Sequence, residues 1–313
     1  MLKYFLPWLL AAAIFYYLFT RYPVSHLLEA LSYVNLPFFI AYSLFYFIFM
    51  WIADCWGLAK LFARLGFPTK TRELLTLRLA SYPIMIFNYG AAQGAMAYFF
   101  KREKNVPFLK STSLISFIIM IDLYWAVTLA FVGSFFSGFV IGDLNLKKVL
   151  WTLWLLATAG LLLLLLVARL PSLGRVFNWL RDHHLFAAYR SATLLDYFYA
   201  LFLRFPMHLA INSTFYFLAI AFGVHIPFLA VLTYLPLTIL IGSLPITPGA
   251  LGVTQIVAVE LFQDKISGPL LTAGTISAAE LIVMMTLSFQ LVNYLLKGIS
   301  GSFFIKKALL NTQ

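Results

Sequence analysis

The chain has 313 residues, of which 63% are hydrophobic and only 11% are charged, and its formal net charge is +11. Its successive apolar runs are each long enough to cross roughly 30 Å of hydrocarbon, which excludes the water-soluble globular class. Continuous apolar runs favour helices over the alternating strands of a barrel, because backbone polar groups in lipid must be hydrogen-bonded internally. We therefore predict an all-α, polytopic transmembrane helical protein.

The basic residues fall in short loops between the apolar runs, so the positive charge favours anionic membrane lipids and not nucleic acid as the partner. The single cysteine, Cys55, excludes an internal disulfide and a cysteine-based metal site. Near the N-terminus, Ala11 to Ala13 are followed by further apolar residues. This pattern predicts an uncleaved first helix and not a signal peptide.

The apolar runs divide into plain crossings and two segments that contain helix breakers. The plain candidates are 4–20, 36–58, 111–133, 149–168, 196–222 and 269–296, and the two interrupted segments are 74–100 and 227–263. Two shorter amphipathic stretches, 26–35 and 172–190, are typical of helices that lie in the membrane interface.

Segment 74–100 has basic residues on both sides. Lys60, Arg64, Lys70 and Arg72 precede it, and Lys101, Arg102, Lys104 and Lys110 follow it. The positive-inside rule places both of its ends in the cytoplasm, which a single crossing cannot achieve. Its middle, Phe87 to Gly94, contains asparagine and glycine residues that interrupt a helix. We predict a re-entrant hairpin.

Segment 227–263 is predicted to form a second hairpin that enters from the other side of the membrane. Both of its ends lie outside the cytoplasm, and its middle is broken at Pro245 to Gly252. The order helix, hairpin, helix then occurs twice with opposite orientation, in residues 36–133 and 196–296. We predict one transmembrane domain over 1–313 that is built from this inverted repeat, with both termini cytoplasmic. The number of residues from Gly90 to Asp122 is nearly the same as that from Gly249 to Glu280. The alternative is eight plain crossings with proline kinks.

Ionisable groups inside a bilayer cost several kcal/mol, so each is a candidate functional residue. The candidates are Arg78, Asp122, Arg204, Glu260 and Glu280. Arg204 lies two residues before Pro206, and a guanidinium is well shaped to hold a lipid phosphate through two hydrogen bonds. The alternative is mutual pairing of Arg78 or Arg204 with Asp122 or Glu280, which would fix helix packing without touching a substrate.

The hairpin tips are the other site candidates, because broken helices expose amides and carbonyls that can hold a polar headgroup at membrane depth. The alternative is that the tips only cap each other and allow close helix packing through their glycines. The predicted substrate-binding residues are Arg78, Asn88, Gly90, Gln93, Gly94, Asp122, Arg204, Pro245, Thr247, Pro248, Gly249, Gly252, Gln255 and Glu280.

The run from Pro245 to Val253, read as Pro-Ile-Thr-Pro-Gly-Ala-Leu-Gly-Val, resembles the signature of the flippase-like transmembrane domain of lysylphosphatidylglycerol synthases. The resemblance covers residues 5–300. Members of that family usually carry a second glycine where this chain has Ala250, a glutamate where it has Gln255, and an arginine around Glu280. The resemblance implies a stand-alone member without the soluble synthase domain, acting on a different lipid.

These observations lead us to expect a lipid flippase in a prokaryotic inner (cytoplasmic) membrane. It would move a phospholipid or polyprenyl-linked headgroup through a polar groove between the hairpins, with Arg78 and Arg204 holding phosphate. The alternatives are an intramembrane transferase that uses Asp122 or Glu280 as base, and a scaffold that associates with a lipid-synthesis enzyme. We expect no cofactor, metal or ATPase site, since the sequence contains no phosphate-binding glycine loop and no paired histidine ligands.

Overall fold

The computed structural model describes residues 2–136, 145–169, 183–244 and 246–310. Within these ranges the secondary structure is helical, apart from one isolated antiparallel bridge between His225 and Ser267. The elements are α1 (Leu2–Arg21), α2 (Val24–Ser32), α3 (Leu36–Arg64), α4 (Thr71–Phe87), α5 (Tyr89–Lys104), α6 (Phe108–Gly133), α7 (Leu146–Arg169), a 3-10 turn (His184–Phe186), α8 (Ala187–Ser191), α9 (Leu194–Ala221), α10 (Phe228–Gly242), a second 3-10 turn (Pro248–Ala250), α11 (Val253–Phe262), α12 (Pro269–Thr272) and α13 (Ala278–Leu310).

The prediction of an all-α, multi-pass membrane protein is confirmed. Five helices are long and apolar enough to cross a membrane, namely α3, α6, α7, α9 and α13. The apolar stretches of α1, α10 and α11 are shorter, at 10–17 residues. Polar side chains cap α3 and α9. Asn35 accepts a 3.1 Å hydrogen bond from the Phe38 amide, and Thr193 forms a reciprocal cap with Asp196.

The last predicted crossing, 269–296, is wrong at both ends. The chain first forms the short α12 and a turn in which Gly274 has a φ of 68°, and the long helix then begins at Ala278. This helix continues past Lys297, because a lysine does not stop a helix that remains packed on a neighbour. Lys297 therefore lies within the long helix and not in a loop after it.

Both interrupted segments fold as helix–break–helix units, which fits the two predicted hairpins. α4 ends at Phe87 and α5 begins at Tyr89, with Asn88 extended between them at a φ of −155°. In the second unit, α10 ends at Gly242 and α11 begins only at Val253. The side of the membrane from which each hairpin enters stays a prediction.

The helix contacts recur when the two predicted halves are exchanged. If α3, α4, α5 and α6 correspond to α9, α10, α11 and α13, the packing of α4 on α13 matches that of α10 on α6. Likewise, α5 packs on α6 as α11 packs on α13, and α3 pairs with its own counterpart α9. This pattern fits an inverted repeat.

The predicted interfacial stretch 26–35 falls on α2, which buries Leu27 and Ala30 and packs against α13. Of the second interfacial stretch, 172–190, residues up to 182 lie outside the described ranges, and the remainder forms the first 3-10 turn and most of α8.

Candidate functional site

A close approach of α3 and α9 builds a buried ionic cluster at the centre of the molecule. Gly57 on α3 faces the backbone of Leu203 on α9, and a Cβ at this glycine would lie only 3.1 Å from the Leu203 carbonyl oxygen. Asp54 lies one helical turn before Gly57, and Arg204 directly follows Leu203. The absence of a side chain at Gly57 therefore allows Asp54 and Arg204 to meet.

Arg204 is held on three sides by carboxylate oxygens. Its Nε and one terminal nitrogen each donate a 2.8 Å hydrogen bond to the carboxylate of Asp122, and its other terminal nitrogen donates at 2.5 Å to Asp54. The Arg204 side chain is only 2% exposed. A guanidinium in this bidentate geometry has little donor capacity left for a substrate phosphate.

Arg78 on α4 forms the other half of the cluster. Its Nε lies 2.5 Å from the second oxygen of Asp54, and one terminal nitrogen donates a 3.3 Å hydrogen bond to Gln93 on α5. Two positive and two negative charges thus cancel among Arg78, Arg204, Asp54 and Asp122. This cancellation is what lowers the cost of keeping four ions inside a membrane protein.

His208 completes the cluster one turn after Arg204 on α9. Its Nε2 lies 3.1 Å from the Asp122 carboxylate, and its ring stacks on that of Trp125 at a centroid separation of 6.0 Å. Trp125 is itself fixed by a 2.8 Å hydrogen bond to the Leu201 carbonyl. Asp122 therefore has partners at both oxygens, and α6 is tied to α9 through this contact.

This arrangement corresponds to the mutual-pairing interpretation for Arg78, Arg204 and Asp122, but not for Glu280. Glu280 lies in the first turn of α13, where it accepts hydrogen bonds from Ser277 and contacts His26 Nδ1 at 2.9 Å. The similar spacing after the two breaks did not make Asp122 and Glu280 counterparts, because Asp122 lies in the middle of its helix and Glu280 lies in the first turn of α13. Glu260 is exposed on α11.

The tip of the first hairpin is exposed, with Asn88 as its organising residue. The Asn88 side chain accepts a 2.8 Å hydrogen bond from the Ala91 amide and so begins α5. Gly90 and Gly94 are exposed beside it, whereas Gln93 is buried and bonded to Arg78.

The base of the same hairpin is closed by an ion pair. Lys104 Nζ at the end of α5 lies 2.6 Å from the Glu73 carboxylate in the first turn of α4. The hydrogen bond from Lys104 holds the pKa of Glu73 below its ordinary value. Because α4 and α5 are joined at both the tip and the base, the hairpin packs as one unit.

The tip of the second hairpin packs against the first. Gly249 has a φ of 59°, and a Cβ there would collide with the Ile86 carbonyl and with the Tyr294 hydroxyl. The Gly249 carbonyl accepts hydrogen bonds from the Tyr294 hydroxyl and, at 2.7 Å, from the Gln290 amide. The second tip is therefore fixed to α13 by its backbone and touches the end of α4.

The remaining predicted residues of the second tip serve its own turn. Thr247 is buried and donates a 2.9 Å hydrogen bond to the Leu251 carbonyl, and Pro248 is buried beside it. Gly252 has a φ of 82°, and its amide donates a 2.8 Å hydrogen bond to the Gln255 side chain. Pro245 lies outside the described residues.

Gln255 is paired with Gln290 of α13. The Gln255 amide nitrogen donates a 2.9 Å hydrogen bond to the Gln290 side-chain oxygen. Gln93 and Gln255 both lie in the first turn or two of the second limb of their hairpins. The first hairpin thus contacts a charged cluster, and the second contacts a neutral one.

Ala250 occupies a backbone conformation that favours glycine, since its φ is 59°. We expect Ala250→Gly to raise the free energy of unfolding by up to about 1 kcal/mol, because the left-handed region costs an alanine about 1 to 2 kcal/mol and glycine loses part of this gain to chain entropy. Thermal unfolding in detergent, compared with Ala13→Gly on the exposed face of α1, tests this. The helical control should lower the melting temperature, and a fall for Ala250→Gly as well would contradict the prediction.

Asp54, Gln290 and Tyr294 belong to these clusters but escape prediction from the sequence. They lie on long helices that read as plain spans. Asp54 is an acidic residue inside an apolar run, which could have marked it as a candidate. The predicted span ended before the helix does, so Asp54 seemed to lie near a helix end. The two polar residues on α13 are ordinary at a helix surface. In the described parts of the chain, no three His, Cys, Asp or Glu side chains come together as metal ligands would.

One comparison with known proteins identifies the family of the chain. The family model described as the lysylphosphatidylglycerol synthase transmembrane region matches residues 4–296. No curated protein and no solved structure matches the chain. The match spans both hairpins and every helix of the central cluster, and it links the chain to membrane phospholipid metabolism. The chain belongs to the family of lysylphosphatidylglycerol synthase transmembrane regions.

Proposed function

We propose that the protein moves a phospholipid or polyprenyl-linked lipid headgroup between the leaflets of a cytoplasmic membrane. The observation that carries the proposal is the meeting of two broken helices, where Gly249 of the second tip packs on the Ile86 carbonyl of the first. Breaks of this kind expose backbone polar groups at membrane depth, and pairs of them in inverted repeats form sites that open to either side in turn.

The packing of the tips supports a gate at this position. The second tip is fixed to α13 through Tyr294 and Gln290, while the first tip is exposed. α1 lies over both, because Trp8 contacts Phe87 at a ring separation of 6.3 Å and Ile14 packs on Gly252. Separation of the tips would break the contact between Gly249 and Ile86 and would shift the contacts of α1 with both tips.

The ionic cluster supports this function by joining the first hairpin to three of the long helices. Arg78 belongs to the first hairpin, whereas Asp54, Asp122 and Arg204 belong to the long helices α3, α6 and α9. A transferase reaction would need Asp122 or Glu280 as a base. Asp122 is instead bonded to Arg204, and Glu280 caps α13. These contacts favour transport over transferase chemistry.

The test is the headgroup accessibility of fluorescent phospholipids to a quencher added outside vesicles that contain the purified protein. We expect faster movement than in protein-free vesicles, and slower movement in Tyr294→Phe, which loses one of the two side-chain bonds to the Gly249 carbonyl. Tyr17→Phe, at an exposed tyrosine of α1, is the matched control and should move lipid at the wild-type rate. Repeating the assay with a proton gradient identifies the energy source.

Movement no faster than in protein-free vesicles, for phosphatidylglycerol, phosphatidylethanolamine and a polyprenyl phosphate alike, would overturn the proposal. In that case, co-purification with a lipid-synthesis enzyme in detergent would favour the scaffold alternative.

A further inference from the structure

Lys297 presents a positive charge to the first hairpin from α13, a helix long and apolar enough to cross a membrane. Its helix face is the one that packs on α4, because Gly298 lies against Ile86 and Gly301 against Pro83. The Lys297 amino group lies 5.8 Å from the centroid of the Tyr82 ring, which is buried on α4. The lysine side chain thus points into the groove between the first hairpin and α13.

The charge of Lys297 is not balanced by the described residues. The carboxylates of the ionic cluster, Asp54 and Asp122, are occupied by Arg78 and Arg204, and none of the described carboxylates forms an ion pair with Lys297. The positive charge of Arg78 acts on it and is repulsive. A cation–π contact offsets only part of the cost of an isolated cation in a membrane.

A lysine near the end of a membrane helix can also lower this cost by extending its stem to the headgroup layer. The contact with Tyr82 argues against that, because it keeps the amino group beside a buried residue of the hairpin. Lys297 lies on an apolar helix that is long enough to cross a membrane, in a groove that faces the first hairpin. The anions that such a groove meets in a membrane are the headgroups of lipids.

We propose that Lys297 anchors the phosphate of an anionic lipid headgroup in the groove between α4 and α13. An ammonium group is a compact point charge with three donors, which suits a phosphate that arrives in varied orientations. The inference rests on the proposed function. It assigns the phosphate contact to Lys297, which forms no ion pair with a described carboxylate, and no longer to Arg78 and Arg204, which carboxylates hold.

The anchor is tested by native mass spectrometry of the purified full chain with phosphatidylglycerol or phosphatidylcholine, counting the lipids retained. We expect Lys297→Gln to weaken phosphatidylglycerol binding about tenfold, because it removes a charge-assisted hydrogen bond to the phosphate. Lys297→Arg should restore most of it. Lys101→Gln, at an exposed lysine of α5, is the matched control for general attraction by surface charge and should have a smaller effect.

Folding is checked separately, and Lys297→Gln should melt no lower than wild type in neutral detergent, because it removes an unbalanced charge. Equal phosphatidylglycerol retention by wild type and Lys297→Gln would overturn the anchor. So would Lys297-dependent binding of inorganic phosphate that matches or exceeds that of the lipid, since the site would then hold a free anion.

The two proposals fail in different ways. Lipid movement in vesicles without Lys297-dependent binding would leave the transport function standing and remove the anchor. Lys297-dependent binding without lipid movement would leave the anchor standing and remove the transport function.

Discussion

Replacing Arg204 with methionine should lower the free energy of unfolding by about 3 to 5 kcal/mol, the usual cost of removing one partner from a buried ion pair. The physical reason is that Asp122 loses both of its guanidinium hydrogen bonds and Asp54 loses one, so the cluster is left with an unbalanced negative charge. The measurement is thermal or denaturant unfolding of the purified protein, followed by tryptophan fluorescence.

The double variant Arg204→Met, Asp122→Asn separates charge balance from substrate contact. It restores neutrality, since Arg78 and Asp54 still form a pair, and we expect it to recover more than half of the stability that the single variant loses. A single variant that keeps wild-type stability but fails to move lipid would contradict this account, and would instead make the Arg204 guanidinium a substrate-binding group.

Much of the fold follows from the sequence because the membrane leaves few alternatives. Apolar length alone specifies the long helices, and the start of α3 at Leu36 and the end of α6 at Gly133 agree with the predicted spans. The breaks at Asn88 and Gly249 are also predictable, since asparagine, proline and glycine interrupt helices for local steric reasons. The end of the last helix was not predictable in this way. A charged residue such as Lys297 indicates the end of a helix only where no neighbouring helix packs against it.

The site is less predictable than the fold because partners are chosen by packing and not by spacing. The sequence identifies Arg78, Arg204 and Asp122 as costly ions, but which of them meet depends on how closely Gly57 lets α3 approach α9. The same approach makes Asp54 the shared acceptor of both arginines. Glu280 looked equivalent to Asp122 by spacing, yet the late start of α13 places it at a helix cap.

Gly249→Ala should be the most damaging single-methyl substitution at the hairpin tips. The new Cβ would force an alanine to a φ of 59°, at a cost of about 1 to 3 kcal/mol, and would collide with the Ile86 carbonyl and the Tyr294 hydroxyl. Either the tips separate or α13 releases the Gly249 carbonyl. We expect a lower melting temperature and at least a tenfold slower movement of lipid in vesicles.

Gly94→Ala is the matched control, because it adds the same methyl group in α5, where the new Cβ would meet no atom within 4 Å beyond its chain neighbours and the adjacent backbone of its own helix. Alanine is the better helix former, so this variant should gain about 0.5 to 1 kcal/mol of stability and keep the wild-type rate of lipid movement. A slower rate in a stable Gly94→Ala protein would instead return Gly94 to the substrate path that the sequence suggested. Wild-type stability and rate in Gly249→Ala would show that the two tips do not need their close contact, and the gate would have to lie elsewhere in the molecule.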